Sequence, residues 1–262
     1  MNDDIDLKIA RINFGMNKIN NLLVDGEIKV PVHLAFGHEA IAAALISAKQ
    51  DIDGIFLPHR NIHYQLAAES EVDKVIDEIL LKDSGVNSGL SGAMNMYNSE
   101  RNIVYSSSIL GNNLAVAIGY AKGMKVNNSK SVTWVVTGDG AIEEGAWYEA
   151  ALNATSLRLQ CIFVVENNEW SLATSVEQRR INFDLAEFAK FLRVPFLRLS
   201  GDSARDYQFQ LTELRENSSK TGTPAIVEVI LETKGGYTVV ENDISRYVNY
   251  HAGALRNSVG GK

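Results

Sequence analysis

Apolar residues recur every three or four positions near the start of the chain, and this pattern predicts the first element. They stand at Ile5, Ile9, Ile12, Met16, Ile19 and Leu23. The spacing is that of a helix over residues 5–24 with one buried face, ending near Gly26. Two further helices are predicted over residues 37–49 and 113–124, where alanine and glycine leave room for another backbone to approach closely.

The second half of the chain alternates short apolar runs with longer amphipathic ones. The pattern predicts strands over residues 132–136, 161–165, 195–199 and 224–231, separated by helices over residues 142–157, 184–192 and 204–217. This alternation is typical of a doubly wound α/β fold, a mostly parallel sheet with helices on both faces. Ligands of such folds bind beyond the carboxyl ends of the strands, so we expect a site after Val136 and after Val165.

One domain is expected over residues 1–262, because this length and a hydrophobic content of 45% allow one substantial core. An N-terminal helix would occupy about residues 1–30, and a C-terminal extension about residues 235–262. A long stretch over residues 89–113 contains Gly89, Gly92 and Gly111 and is predicted to be a functional loop.

The charge distribution narrows the possible partners. The net charge is −7 and the sequence pI is about 5.3, with no basic block, so neither nucleic acid nor an anionic membrane is expected as a partner. The single cysteine, Cys161, lies in an apolar run, and we expect it to be a buried hydrophobic residue rather than a nucleophile. The acidic N-terminal segment and the absence of a long apolar run predict a cytoplasmic protein.

Two polar motifs follow two of the predicted strands directly. A Gly-Asp-Gly-Ala motif begins at Gly138, and a Glu-Asn-Asn-Glu-Trp motif begins at Glu166. Gly138 and Gly140 permit a tight turn and close approach by a phosphate, and backbone N–H groups at the start of the next helix point towards an anion. The Asp139 carboxylate and the Asn168 amide oxygen are hard ligands of the kind that Mg²⁺ prefers.

The 29 positions from Asp139 to Asn168 correspond to one strand–helix–strand repeat. This spacing resembles the thiamine diphosphate motif of transketolases, pyruvate decarboxylases and 2-oxo acid dehydrogenases. The resemblance implies thiamine diphosphate and Mg²⁺ as cofactors. The implied cofactor-binding residues are Gly138, Asp139, Gly140, Ala141 and Asn168, and the implied metal ligands are Asp139, Asn168 and the main-chain oxygen of Trp170.

Motifs outside this pair are similar to those of the alpha subunits of heteromeric 2-oxo acid dehydrogenases, of the pyruvate, branched-chain and acetoin type. The similarity spans roughly residues 10–235. Residues 33–40 read HLAFGHEA, similar to the family's H-L-x-x-G-Q-E-A, and residues 56–60 read FLPHR, similar to its V-F-x-x-Y-R. The resemblance implies His33 as a catalytic residue beside the reacting carbon, and His59 and Arg60 at the diphosphate.

Two glycine- and serine-containing segments extend the resemblance. Residues 89–96 are similar to the family's glycine-rich loop, and residues 106–111 to the segment that precedes a helix. The resemblance implies that Leu110 is the apolar wedge that bends the cofactor, and that the Ser108 carbonyl meets its aminopyrimidine ring. The alternatives are a core leucine for Leu110 and a capping or packing histidine for His33.

In this family a glutamate beside the aminopyrimidine ring activates the cofactor, and it belongs to a separate beta subunit. Only 94 residues follow Asn168, too few for a second module of similar size. The resemblance therefore implies a beta-type pyrimidine-binding partner, in a heterotetramer of two alpha and two beta subunits. It also implies a 2-oxo acid or acetoin as substrate and a lipoyl-bearing acyltransferase as the acyl acceptor.

Departures from the family keep other functions open. Tyr237 and Ile62 replace two family histidines, and both losses bear on lipoyl transfer. Residues 240–254, which include His251, are similar to the end of the diphosphate domain in split transketolases. The alternative is therefore a split transketolase-like subunit that makes carbon–carbon bonds from a ketose. A third possibility, a catalytically silent cofactor-binding protein, is opposed by the intact metal and diphosphate residues.

Overall fold

Parallel strands form the centre of the protein, as the alternating pattern predicts. The computed structural model describes residues 4–28, 30–69, 71–171, 174–181 and 183–234, and the backbone of two strands beyond them. The helices are α1 (Ile5–Val24), α2 (Glu39–Ala48), α3 (Ile62–Ala68), α4 (Val72–Ile79), α5 (Asn112–Val126), α6 (Gly145–Ser156), α7 (Val176–Arg179), α8 (Leu185–Leu192) and α9 (Ala204–Thr221). The strands are β1 (Gly54–Leu57), β2 (Ile103–Ser106), β3 (Thr133–Gly138), β4 (Cys161–Asn167), β5 (Trp170–Ser171), β6 (Thr174–Ser175), β7 (Phe196–Leu199), β8 (Ala225–Ile230), β9 (Tyr237–Glu241) and β10 (Ile244–Val248).

The main sheet has the order β2-β1-β3-β4-β8-β7, and its strands run parallel. Alternate residues of a strand point to opposite faces of the sheet. Trp134 and Val136 of β3 belong to a hydrophobic cluster that includes α1, α2 and α9, whereas Val135 belongs to a second cluster with α5, α6 and α8. Helices therefore cover both faces, and the prediction of a doubly wound α/β fold is confirmed.

Two of the differences between the predicted and the observed boundaries have local reasons. The helix predicted over residues 37–49 begins at Glu39, because Gly37 has a φ of 93°, which no helical residue adopts. The helix predicted over residues 142–157 is divided. A 3-10 turn at Ala141–Glu143 comes first, and Glu144 is extended, with a ψ of 144°, before α6 begins.

Several elements are missing from the sequence-based prediction. The strands β1 and β2 have only four residues each, too few to show a periodic pattern, and α3 and α4 are also short. Because β2 lies within residues 89–113, the prediction that this stretch is a loop is wrong for that part. The strands β9 and β10 follow β8, so the run at residues 224–231 is not the last strand.

Cys161 is fully buried in β4, as expected for a small hydrophobic residue, and burial raises the pKa of its thiol. In the part of the chain that the structure describes, no helix combines the length and apolar character that a membrane crossing requires. The division into one domain with a C-terminal extension stays a prediction, and the side chains of residues 235–262 lie outside the described residues.

Candidate functional site

Three parallel strands end at the same edge of the sheet, and the predicted motifs follow them. The register of β3 and β4 places Gly138 beside Glu166, and the Asp139 N–H donates to the Glu166 carbonyl at 3.2 Å. The strand β1 lies on the other side of β3, and Arg60 follows it closely. The turns that carry Asp139 and Asn168 are therefore neighbours, although 29 positions separate them in sequence.

A small cavity, partly open to solvent, lies at this edge of the sheet. The predicted site residues on its wall are His59, Arg60, Leu110, Gly138, Asp139, Gly140, Ala141, Asn168 and Trp170. The structure places His33 and Ser108 elsewhere. The His33 ring packs edge-on against His59 at a centroid distance of 4.9 Å, and the Ser108 N–H donates to Asn95 Oδ1 at 3.0 Å.

The structure contradicts one part of the role expected for the two glycines of the first motif, the requirement of a tight turn. Neither Gly138 nor Gly140 has a positive φ, so the turn itself does not require glycine. A Cβ atom on Gly138 would have no neighbour within 4 Å, which leaves its backbone open to the cavity. A Cβ atom on Gly140 would lie 2.9 Å from the Cβ atom of Ser171. Close approach by Ser171 is therefore the physical reason for glycine at position 140, whereas the surroundings of position 138 leave room for a side chain.

Asp139 is buried at the cavity wall and pairs with an arginine that the sequence pattern does not identify. Arg179 donates from Nη2 to Asp139 Oδ2 at 2.8 Å and from Nη1 to Glu143 Oε1 at 2.5 Å. Burial raises the pKa of the Asp139 carboxyl, and the positive charges of Arg179 and Arg60 offset part of this effect. Because a carboxylate has two oxygens, pairing through Oδ2 is compatible with metal coordination through Oδ1.

The side chain of Asn168 is held at both ends of its amide group. Its Nδ2 donates to Thr233 Oγ1 at 2.6 Å, and its Oδ1 accepts from the Trp170 N–H at 3.2 Å. Glu169, between them, has a φ of 63°, a left-handed conformation that closes the turn after β4. Asn168 is thus fixed at the cavity wall next to the strand end that carries Asp139.

Glu166, on the cavity wall, is the centre of a buried hydrogen-bond network. His38 Nδ1 lies 3.2 Å from Oε2, and His63 Nε2 and the Tyr64 hydroxyl lie 3.0 Å and 2.8 Å from Oε1. Burial alone would raise the pKa of Glu166, but the contacts with His38 and His63 hold it well below its ordinary value. Burial lowers the pKa of His38 to about 4, so its ring is neutral at pH 7 and acts as a hydrogen-bond donor.

His38, His63 and Glu166 also place possible ligand atoms within 4.8 Å of one another. Hydrogen bonds already join these atoms, and Arg60 Nη1 lies 3.1 Å from His38 Nε2. A metal ion at this place would lie close to the positive guanidinium group. We therefore interpret the cluster as a network that orients Glu166 and its neighbours, and not as a metal site.

His33 and His59 form a second pair of neutral rings. Burial, with Arg60 and the neighbouring ring, lowers the pKa of His33 to about 3. Burial, with Arg60, lowers that of His59 to about 4. His59 lies on the cavity wall, and His33 lies behind it. At neutral pH each ring therefore carries one N–H donor and one nitrogen acceptor.

Residues that support the site were missed because their roles depend on distant partners. His38, His63 and Tyr64 lie within or next to the motif segments of residues 33–40 and 56–60. A cluster of polar residues in otherwise apolar, buried segments is the signal that would have identified them. Arg179 and Thr233 carry no such signal, apart from their position just beyond strand ends.

The fold and the cavity define a doubly wound α/β protein with a polar ligand site at its strand ends. The chain belongs to the family described as dehydrogenase E1 component, whose model matches residues 8–231. The alpha subunit of acetoin:2,6-dichlorophenolindophenol oxidoreductase from Bacillus subtilis (strain 168) is 27% identical over 240 residues, which cover 92% of this chain and 72% of that protein. The pyruvate dehydrogenase E1 component subunit alpha of Rickettsia bellii (strain RML369-C) is 26% identical over 212 residues, which cover 81% of this chain and 65% of that protein.

A mitochondrial pyruvate dehydrogenase E1 component subunit alpha from Dictyostelium discoideum is 31% identical over 152 residues, 58% of this chain and 40% of that protein. These matches confirm the resemblance to the 2-oxo acid dehydrogenase alpha subunits, and they give no support to the transketolase alternative over it. The family implies thiamine diphosphate as its cofactor. Residues 240–254, which suggested the alternative, lie outside the described residues apart from strand backbone.

Proposed function

We propose that this chain is the alpha-type subunit of a heteromeric enzyme that uses thiamine diphosphate and Mg²⁺ to transfer an acyl group from a 2-oxo acid or from acetoin. One observation carries the proposal. Asp139, Asn168, Arg60 and Leu110 lie on the wall of one cavity at the strand ends, in a chain of the dehydrogenase E1 family. A cytoplasmic location is part of the proposal, from the acidic composition and the single cysteine.

The donor set fits a diphosphate and a hard cation. Asp139 and Asn168 offer a carboxylate and an amide oxygen, and the main-chain oxygen of Trp170 is the third proposed metal ligand. The buried guanidinium of Arg60 and the open backbone at Gly138 suit an anionic group beside the metal. These residues would hold the diphosphate end of the cofactor.

Leu110 supports an organic cofactor rather than a free diphosphate. It lies on the cavity wall with 44% of its surface exposed, and it belongs to neither of the two hydrophobic clusters. The alternative, a core leucine, is wrong for this reason. An apolar side chain on the wall of a cavity that also carries polar groups offers a surface for an organic ring system. We therefore propose that Leu110 packs against the cofactor between its two rings.

Bound thiamine diphosphate supplies a nucleophilic carbon for addition to a carbonyl group and accepts the electrons released on decarboxylation. The residues of this chain bind and orient it. Arg60 and the metal ligands fix the diphosphate, and Ser108 is proposed to meet the aminopyrimidine ring with its main-chain oxygen. The neutral His59 ring on the cavity wall can donate or accept one proton, and His33, which packs edge-on against it, is proposed to support it on the substrate side.

The activating glutamate is proposed to come from a beta-type partner, in a heterotetramer of two alpha and two beta subunits. The carboxylates on the described cavity wall are Asp139 and Glu166. Asp139 pairs with Arg179, and Glu166 accepts hydrogen bonds from His63 and Tyr64. Neither is therefore available to protonate the cofactor ring. A lipoyl-bearing acyltransferase is the proposed acyl acceptor.

The metal assignment is tested by titrating the full chain with thiamine diphosphate in the presence of Mg²⁺. We expect Asp139→Ala to weaken binding at least about tenfold, because it removes a charged ligand oxygen (~1.4 kcal/mol or more). Asp83→Ala removes an exposed carboxylate outside the site and is the matched control. Equal binding by Asp139→Ala and the parent chain would overturn the assignment.

The proposed acyl acceptor is tested by acylation of a lipoyl domain with a 2-oxo acid. No acylation with any 2-oxo acid would refute the proposal that a lipoyl group accepts the acyl group.

A further inference from the structure

After β8 the chain crosses the ends of neighbouring strands. Thr233, on this segment, lies at the site. The Leu231 N–H donates to the carbonyl of Asn167 at 2.9 Å, and the Lys234 N–H donates to the carbonyl of Phe36 at 2.7 Å. These two bonds hold the intervening residues against the end of β4 and against the segment before α2. Thr233 is buried as a result, with 4% of its surface exposed.

Gly37 makes this path possible. Its φ is 93°, and a Cβ atom at this position would lie 2.2 Å from the carbonyl oxygen of Glu232. The Glu39 carboxylate accepts the Gly37 N–H at 2.9 Å and fixes the turn. Any larger residue at position 37 would push Glu232 away and would move Thr233 with it. The motif of residues 33–40 therefore helps to position a residue almost 200 positions later in sequence.

The hydroxyl group of Thr233 contacts one residue proposed to bind the diphosphate and one proposed to bind the metal. Arg60 Nη1 donates to Oγ1 at 3.1 Å, and Asn168 Nδ2 donates to it at 2.6 Å. His38 Nε2 lies 2.8 Å from the same oxygen. Arg60 follows β1 and Asn168 follows β4, so Thr233 lies between side chains from two strands that are not neighbours in the sheet.

The chemistry of these groups fixes the direction of each hydrogen bond. The guanidinium N–H and the amide N–H can only donate, so the Thr233 oxygen accepts from both. Its own proton is then available to His38 Nε2, which Arg60 Nη1 also approaches at 3.1 Å. His38 consequently carries its ring proton on Nδ1, from which it donates to Glu166 Oε2 at 3.2 Å. A hydroxyl group satisfies all of these contacts, whereas a methyl group of the same size satisfies none of them.

We propose that Thr233 is a positioning residue that holds the Arg60 guanidinium and the Asn168 amide in fixed places relative to each other. The inference rests on the proposed function and deepens it. The Thr233 Oγ1 atom holds the Arg60 side chain, proposed to bind the diphosphate, next to the Asn168 side chain, proposed to bind the metal. Loss of that oxygen leaves two buried donors without this acceptor, and the two side chains are then no longer held by a common atom.

The test measures binding by the full chain, with thiamine diphosphate and Mn²⁺ as probes. Calorimetry follows the diphosphate compound, and electron paramagnetic resonance follows Mn²⁺. We expect Thr233→Val to weaken both affinities about tenfold, the effect of losing roughly one charge-assisted and one neutral hydrogen bond. Thr233→Ser keeps the oxygen and should stay within about threefold of the parent chain. Thr133→Val is the matched control, because Thr133 is also fully buried and its hydroxyl makes no hydrogen bond within the described residues.

A double-mutant cycle separates positioning from a general effect on stability. If Thr233 acts through Asn168, Thr233→Val should weaken Mn²⁺ binding clearly less in the Asn168→Ala background than in the parent chain. Thermal unfolding of each variant is followed in parallel. A role in stability alone would lower the melting temperature and leave the affinity of the folded chain unchanged. If Thr233→Val does not fold, Thr233→Ala is compared with Thr233→Ser in the same way.

The proposal is overturned if Thr233→Val binds both probes as the parent chain does, if its effect is undiminished in the Asn168→Ala background, or if Thr133→Val causes the same loss. These results can be distinguished from a failure of the proposed function. If the parent chain itself binds neither thiamine diphosphate nor Mn²⁺, the proposed function fails and the role of Thr233 fails with it. A parent chain that binds both, with a Thr233→Val variant that binds equally well, refutes only the positioning role.

Discussion

Arg215 and Asp53 form a buried ion pair at the end of the sheet opposite to the site. The guanidinium donates from Nε to Asp53 Oδ2 at 3.1 Å and from Nη2 to Oδ1 at 2.9 Å. The same carboxylate accepts the Val132 N–H at 2.8 Å. Arg215 lies on α9, Asp53 directly precedes β1 and Val132 directly precedes β3. The ion pair therefore connects α9 to the starts of two central strands.

Replacing Asp53 by alanine should lower the free energy of unfolding by about 3 to 5 kcal/mol, because the Arg215 guanidinium would stay buried without its counter-charge. Urea unfolding followed by circular dichroism measures the change. Asp51→Ala, at an exposed neighbouring position, is the control and should stay within about 0.5 kcal/mol of the parent. The double variant Asp53→Ala/Arg215→Met should lose less than the sum of the single variants. Equal losses in Asp53→Ala and Asp51→Ala would contradict the structural role of the pair.

Gly37→Ala should destabilise the chain by about 1 to 3 kcal/mol, since alanine does not tolerate a φ of 93° and its Cβ would overlap the Glu232 carbonyl. Gly119→Ala is the matched control. Gly119 lies within α5, and a Cβ there has no neighbour within 4 Å, so alanine should be neutral or stabilising by up to about 1 kcal/mol. Unfolding in urea distinguishes the two. A Gly37→Ala variant as stable as the parent would show that the turn before α2 is not constrained in this way.

Stability should fall as the pH is lowered from about 6.5 towards 4, and His33 and His59 should contribute to the fall. Their pKa values in the folded chain, about 3 and about 4, lie below the ordinary 6.5. Between these values the unfolded chain binds more protons than the folded one, so stability rises with pH and is lost as pH falls. Each fully shifted histidine contributes a slope of up to about 1.4 kcal/mol per pH unit.

The pH dependence is measured as the free energy of unfolding in urea at several pH values between about 4.5 and 7. In roughly this range the folded and the unfolded chain bind different numbers of protons. The double variant His33→Gln/His59→Gln should have a shallower slope than the parent chain. Ile12→Val provides a control, because it removes a buried methylene without changing any titratable group and should lower stability by about 0.5 to 1.5 kcal/mol at every pH. An unchanged slope in the double variant would show that these rings are not held neutral by the fold.

Cys161 should not react with a thiol reagent such as 5,5′-dithiobis(2-nitrobenzoate) while the chain is folded. The side chain is fully buried and burial raises its pKa, so the reactive thiolate is both inaccessible and disfavoured. In denaturant the reagent should detect one thiol, since the sequence has one cysteine. Ser156→Cys, at an exposed position at the end of α6, should react rapidly in the folded chain. Rapid reaction of native Cys161 would mean that β4 opens readily.

The sequence alone predicts the central strands β3, β4 and β8, because each is a run of five or more mostly apolar residues buried on both faces. The apolar composition of such a run is enough to predict that it is buried. The sequence predicts the edge strand β2 less clearly. In β2, Ile103 and Ser106 are buried but Val104 is 38% exposed and Tyr105 is partly exposed, so no apolar run marks the strand. Short elements depend on tertiary contacts, which composition does not record.

The same contrast holds at the site. Asp139 and Asn168 were predicted because each directly follows a recognisable strand, and the structure places both on one cavity wall. Thr233 and Arg179 were not predicted, because their contacts depend on how a chain segment returns to the strand ends. Ser108 was predicted from resemblance alone, and the structure places it off the described cavity wall. Its role, like that of the other site residues, stays a prediction.

The order of strands in the sheet differs from the order in which the ribosome makes them. β8 lies between β4 and β7, yet it is synthesised after both. Until β8 emerges, β4 presents an apolar edge with unpaired backbone groups and β7 has no neighbour in the sheet. A nascent chain stalled before Ala225 should therefore aggregate or bind a chaperone, and only completion of β8 closes the exposed edge of the growing sheet.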